Sequence, residues 1–255
     1  MRKLIILLLV SLAILVTFVQ KNDAISSGTS VTSMSGVGYT AAVWCPIIMC
    51  ASAVISTKGV LTTATCVNNL SPSDILVLVG STTYYSGGQF MDIAKIIQHT
   101  AFNPTTYNAN LAILGFATEL DSGTMSTYGI TVVPLCTAAA ATNTYGTITA
   151  YGAINANMDL PDNMQRAFLL VLPSSICTTY KPNRLTTTMF CAGDSTGKKD
   201  LCPEDQGAPF VATGKLCGNY NWGCSCGLAA PQYSTPVFNQ IYLFATWINT
   251  NLATL

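Results

Sequence analysis

Few side chains in this sequence are suited to acid–base or nucleophilic chemistry. His99 is the sole histidine, so proton transfer near neutral pH has one imidazole to draw on. The densest polar cluster is CPEDQGAP, Cys202 to Pro209, where Glu204, Asp205 and Gln206 follow one another. Pro203 stiffens the entrance to that segment. The central side chain, Gln206, is a carboxamide with no acidic proton to lose and no nucleophilic oxygen to offer. Metal chemistry is equally poorly served: one residue separates Cys224 from Cys226, no second CxxC completes a tetrahedral set, and no metal or cofactor is expected.

The elements that must hold these residues are short. Runs rich in β-branched or aromatic residues recur at Val60–Thr63, Ile75–Val79, Ile93–Gln98, Leu111–Phe116, Thr147–Tyr151, Phe168–Leu172, Pro209–Thr213 and Leu216–Asn221. Gly, Pro, Asn and Ser turns split them, as in antiparallel β-structure of many strands. Strict alternation is poor in several runs, so periodicity leaves sandwich and barrel open. The polar stretch Leu120 to Thr131, within a zone near 120–135, is the expected connector between two halves. Ile241, Phe244, Ala245, Ile248 and Leu252 fall at helical spacing and predict a C-terminal amphipathic helix packed on the body.

Residues 1–24 have the layout of a secretory signal peptide: Arg2 and Lys3, an apolar run from Leu4 to Val19, and small Ala24 at the cut. An uncleaved anchor is the competing reading, but the run is short for a bilayer span. Ten cysteines, none of them in the leader, fit an oxidising, extracellular setting. Lys plus Arg equals Asp plus Glu at 11 each, and 9% of residues are charged, so no basic face invites nucleic acid or anionic lipid. The expected partner is a protein or peptide, with no membrane contact once the leader is cut.

CPEDQGAP resembles CxGDSGGP, the nucleophile loop of trypsin/chymotrypsin-like serine proteases, with Gln206 in place of the serine. VLTTATC, Val60 to Cys66, is similar to the family's VLTAAHC, with Thr65 where the general base stands. NANLAIL at 108–114 resembles NDIALL, with Asn110 at the aspartate position. A threonine hydroxyl cannot take a proton near neutral pH as imidazole does, and an amide cannot orient a histidine as a carboxylate does. The resemblance covers nearly the whole mature chain, 25–255. It implies two packed six-stranded antiparallel β-barrels with a C-terminal α-helix, all three triad positions being substituted.

The same resemblance places further residues. Glu204 stands at the oxyanion glycine, where a side chain is expected to force another backbone geometry and a carboxylate to repel the developing charge. Ala208 replaces the second glycine of the GG pair. Asp205 keeps the position that pairs, in trypsin-like enzymes, with the ammonium of a newly cut N-terminus, and ISSG at Ile25 stands for that terminus. No Lys or Arg precedes Ile25, so signal peptidase itself is expected to generate it, without a zymogen stage; the competing reading makes ISSG a tail. Asp200 matches the base of the primary specificity pocket, and Asn221, Trp222 and Gly223 match the edge that pairs with substrate backbone. Pro236 falls where a pocket-wall glycine sits, and His99 falls at a structural strand end.

By the same register Cys50 pairs with Cys66, Cys177 with Cys191 and Cys202 with Cys226. The family's frequent fourth bridge is expected to be lost at both ends, near Gly146 and Ala212. Cys45, Cys136, Cys217 and Cys224 are left unassigned, with an intermolecular disulfide open. Asn69-Leu70-Ser71 is the acceptable glycosylation sequon, followed by Pro72. The function implied is that of a secreted, non-catalytic serine protease homologue, similar to insect-type regulators of immune cascades and to seminal-fluid proteins, acting by binding. The alternative is a serine-type endopeptidase or esterase with an unconventional active site.

Overall fold

The computed structural model describes residues 24–46, 48–155, 157–181, 184–194, 199–223, 226 and 235–255. The expected signal peptide up to Asp23, and Cys224, lie outside those residues. Two closed β-barrels build the protein.

The first barrel uses β2 (Thr40–Trp44), β3 (Met49–Ser56), β4 (Gly59–Thr62), β5 (Leu76–Val79), β6 (Gln89–Gln98) and β7 (Ala112–Phe116), closed in the order β2-β3-β4-β7-β6-β5. Its interior is filled by aliphatic, mostly β-branched side chains, among them Val43, Val54, Val60, Val77 and Leu114, all fully buried. Such residues suit a pleated surface with neighbours on every side.

The second barrel uses β8 (Tyr145–Ala150), β9 (Gln165–Val171), β10 (Met189–Gly193), β11 (Pro209–Ala212), β12 (Lys215–Trp222) and β13 (Val237–Gln240). They run β9-β10-β13-β12-β11-β8, and the β8–β9 pairing closes the ring. A two-residue strand, β1 (Thr29–Ser30), adds to the outside of β9. The core here is aromatic: Phe190, Phe210 and Phe238 pack with ring centroids 5.2–5.3 Å apart.

The chain between β7 and β8 carries a short helix, Ser122–Tyr128, capped by the Asp121 side chain, which accepts from the Thr124 N–H at 2.9 Å. The C-terminal helix spans Ile241–Leu252 and buries Ile241, Phe244 and Ile248. These three pack with Leu61, Leu111 and Ile113 of the first barrel and Leu216 of the second, so the helix face spans both. Burying each such side chain is worth about 1.5–3 kcal/mol.

Disulfides join Cys50 to Cys66, Cys177 to Cys191 and Cys202 to Cys226. A fourth joins Cys136 to Cys217, two of the four cysteines that the sequence left unassigned. The bridge lies apart from Gly146 and Ala212, where the family's frequent bridge was expected to be lost: Gly146 lies against the Phe210 ring, which a Cβ there would overlap. It ties the end of the connector to β12, where Cys136 N–H also donates to Leu216 O at 2.9 Å. Cys45 is the one free cysteine among the described residues; its thiol donates to Cys66 O at 3.3 Å, and burial pushes its pKa up to about 11. A thiol held so far above neutral pH is a slow partner for an intermolecular bridge.

Candidate functional site

The barrels meet at a cleft of about 240 Å³ lined by Thr65, Tyr107, Gln206, Asn221, Trp222 and Gly223, together with the Cys50–Cys66 pair. Thr65 comes from the helical turn Ala64–Val67 that follows β4, and Asn110 lies just before β7. Asn221, Trp222 and Gly223 come from the end of β12. Positions 65, 110, 206 and 221–223, expected from the sequence, therefore converge.

Their connections are made of amides. Asn110, fully buried, accepts from the Thr65 N–H at 2.9 Å and donates through Nδ2 to Thr65 Oγ1 at 3.2 Å and to Asn221 Oδ1 at 2.8 Å. Asn221 donates to Tyr107 O at 3.0 Å and to Asn239 Oδ1 at 3.1 Å. Asn239 donates to Asn110 O at 3.0 Å and to Asn219 Oδ1 at 3.4 Å, and Asn219 donates to Gly207 O at 3.0 Å. Four buried asparagines thus link the first barrel to the loop beside Gln206 without one ionised group. Each amide uses both its donor and its acceptor side, as a buried polar network must. Thr65 donates its hydroxyl proton to Thr63 Oγ1 at 3.1 Å and is no base.

Motif matching does not single out Asn219 or Asn239. A signal for Asn219 is present: Asn219 and Asn221 flank Tyr220 at i and i+2 in an otherwise apolar strand, on one face. Asn239 has no such sequence mark, because it joins them only through its cross-strand pairing with Asn219.

The loop from Cys202 to Gly207 is built differently. Glu204 occupies the left-handed region at φ 75°, so the expected change of backbone geometry is not seen: the residue takes the conformation that a glycine would take freely. Its N–H donates to Gln206 Oε1 at 3.0 Å. The amide aligned with the oxyanion donor is therefore already engaged by the side chain aligned with the nucleophile. Burial raises the Glu204 pKa, and its Oε2 is enclosed with no hydrogen-bond partner among the described residues.

Asp205 is fully buried, accepting from Gly152 N–H at 2.9 Å through Oδ1 and from Cys202 N–H at 2.8 Å through Oδ2. A side chain at Gly152 would run into that carboxylate. Desolvation pushes the Asp205 pKa up to about 8, with Asp200 and Glu204 adding repulsion and the two amides opposing it. Ile25 is fully buried in the same barrel core as Leu201 and Ala208, which bracket this loop. Asp200 is fully buried, and Pro236 accepts from Ala192 N–H at 3.1 Å.

His99 stands apart from the cleft. Its ring meets Trp247 at 4.7 Å and Phe244 at 5.3 Å, its Nδ1 accepts from Ala101 N–H at 3.1 Å, and burial lowers its pKa. Asn69 is exposed at φ 61°, while the Ser71 hydroxyl of its sequon donates to Asp74 at 2.5 Å. Among the described residues no group of three or more His, Cys, Asp or Glu could hold a metal ion, and no helix is long and apolar enough to cross a membrane.

Two six-stranded barrels closing on such a cleft define the trypsin-like fold. The family model described as Trypsin matches residues 25–248, and the chain belongs to that family. It is similar to Serine protease 1 of Homo sapiens, at 29% identity over 259 residues, covering 99% of each protein. Cationic trypsin-3 of Rattus norvegicus is 27% identical over 210 residues, covering 80% of each. The solved structure of neuropsin, a serine protease expressed in the limbic system of mouse brain, matches with a TM-score of 0.78 at 24% identity, covering 89% of this chain and 99% of that one.

Proposed function

We propose that this protein is a secreted serine protease homologue that does not cleave peptides and acts by binding a protein or peptide partner. One observation carries the reading: the Glu204 N–H, aligned with the oxyanion donor, is held by the carboxamide of Gln206, the residue aligned with the nucleophile. Removing a single oxyanion donor costs a working protease about 10²–10³ in rate. Here the base and its orienting carboxylate are replaced as well, by Thr65 and Asn110, both committed to neutral hydrogen bonds. The relatives carry the names of proteases, and this chain departs from the family pattern in these side chains while keeping the fold.

The four disulfides and the leader-like residues 1–24 support an extracellular setting, where such a protein would regulate or assist a proteolytic, immune or reproductive process. Purified mature protein incubated with arginine and lysine esters and with an active-site phosphonate tests the reading. No turnover and no labelling are expected; saturable hydrolysis or stoichiometric labelling would return the protein to the serine endopeptidases or esterases.

Maturation before Ile25 belongs to the same proposal. Asp205 is a buried carboxylate with no cation beside it among the described residues, and an ammonium at Ile25 would supply one. N-terminal sequencing of the secreted protein decides this, since a start well away from Ile25 leaves Asp205 unmatched.

A further inference from the structure

The second barrel carries an apolar surface that the cleft does not use. β8 and β9 pair with Thr147 opposite Phe168 and Thr149 opposite Arg166, and β11 adds Val211 beside Thr147. Side chains alternate across a strand, so Ala167 and Leu169 fill the barrel while Arg166 and Phe168 stand on its outer face. Where that face meets Tyr39 and the segment 131–134, it forms a groove of about 570 Å³. Tyr39, Val132, Val133, Tyr145, Phe168 and Val211 line it, and it shares no residue with the cleft.

Two observations mark the groove as a binding surface. Three of its apolar side chains lie open to solvent, Tyr145 at 60%, Phe168 at 48% and Val132 at 39%. Single exposed apolar residues are ordinary, whereas several around one concave face mark a contact. The second observation is Arg166. Its guanidinium carbon lies 5.7 Å from the Phe168 ring centroid, and its Nε is enclosed without a hydrogen-bond partner among the described residues. Stacking positions the group but gives Nε no acceptor. A carboxylate is the acceptor that suits it, because the guanidinium fork matches two carboxylate oxygens.

The surrounding charge selects the sign of the occupant. No side chain lining the groove is charged. The Arg166 charge is felt at Tyr39: burial pushes that phenol up to about 12, with the Thr149 hydrogen bond and the Arg166 charge opposing it. Lys215, which follows the lining residue Gly214, is exposed. Both of these charges are positive, so an acidic segment is favoured over a basic one.

We propose that this groove docks a segment of the partner in which an apolar side chain stands next to a carboxylate, the apolar group against Phe168 and Tyr145 and the carboxylate on Arg166. It rests on the reading that the protein acts by binding, and it places that contact outside the cleft.

The test titrates acetyl-aspartyl-phenylalanine amide and its asparaginyl counterpart into the mature protein, following the arginine Nε–H resonances by NMR. After residue 24 the arginines are Arg166 and Arg184, so Arg184 serves as the internal control. The aspartyl probe is expected to shift Arg166 and to bind about tenfold tighter than the asparaginyl one, as a charge-assisted hydrogen bond requires. Arg166→Gln is expected to erase that difference, and Phe168→Thr to weaken both probes about tenfold. Both positions lie on the outer face, threonine keeps a preference for strand, and melting curves check the fold. No shift at Arg166, a shift at Arg184 alone, or equal binding by the parent and Phe168→Thr overturns the groove. So does self-association of the parent that Phe168→Thr abolishes without any response to the probe, which gives the surface to a second copy of the chain.

The two readings fail separately. Hydrolysis of the ester substrates removes the non-catalytic reading and leaves probe binding at Arg166 standing. Equal binding of the probes by the parent and both variants removes the groove and leaves the non-catalytic reading standing.

Discussion

Two neighbouring regions of the cleft satisfy their polar side chains in opposite ways. Around Asn110 the hydrogen bonding is complete: four buried asparagines and Thr65 satisfy one another, and no charge is left to solvate. Around Glu204 and Asp205 the opposite holds. One residue sits in a left-handed conformation with an enclosed carboxylate oxygen that has no hydrogen-bond partner among the described residues, and the next is a buried acid raised to about 8. The first region is a settled structural core. The second keeps its electrostatic tension, because two amide donors only partly offset the desolvation of Asp205.

The contrast is broken most forcefully through Asp205. Its folded pKa of about 8 lies above the ordinary carboxylate value of 3.8, so the folded state binds the proton more tightly than the unfolded state. Its contribution to stability is then full below about pH 4 and is lost as pH rises toward about 8, a tenfold difference in proton affinity being worth about 1.4 kcal/mol. A form that retains Ala24, and so has no ammonium at Ile25, should weaken by several kcal/mol across that window in denaturant titrations. Asp205→Asn should flatten the slope. In the form beginning at Ile25 the same substitution should destabilise, because it removes the partner of the ammonium.

Next comes the settled side. Asn110→Leu strands the Thr65 N–H and the Asn221 Oδ1 in the interior, and a loss of about 3 kcal/mol is expected from urea denaturation. Glu204→Gly should act in the other direction, raising stability by about 1 kcal/mol as left-handed strain is released against the greater unfolded entropy of glycine. Thermal melting of the two proteins side by side reads it. The smallest effect is reserved for Gln206→Ala, which removes one side-chain hydrogen bond at a half-buried position and should cost about 0.5–1 kcal/mol. If Gln206→Ala proves as damaging as Asn110→Leu, the two regions are not energetically distinct.

Much of the strand pattern is readable from the sequence because eight strands carry β-branched or aromatic runs bounded by turn residues. β2, TAAVW, and β3, MCASAVIS, escape that reading. Both are buried on both faces along most of their length, so neither alternates, and alanine, serine and cysteine give no strong preference for strand. β13 is hidden by running directly into the helix at Ile241.

The candidate site divides along similar lines. Thr65, Asn110 and Gln206 are legible because each lies in a contiguous segment with a recognisable order. The closure of the asparagine network is not, since it depends on Asn219 facing Asn239 across two strands. The Cys136–Cys217 bridge, whose partners are 81 residues apart, leaves no local trace either.

The amide-built cleft has one more consequence, for how the protein responds to the pH of its surroundings. A histidine-based cleft changes charge between weakly acidic and neutral conditions, whereas the side chains of Thr65, Gln206, Asn221 and Trp222 carry no group that titrates in that range. The surface they form therefore presents the same pattern of donors and acceptors through acidification or alkalinisation of its surroundings. A protease that relies on histidine feels the pH of its medium at its reacting groups; in this chain the response lies behind those four side chains, in the buried Asp205 raised to about 8.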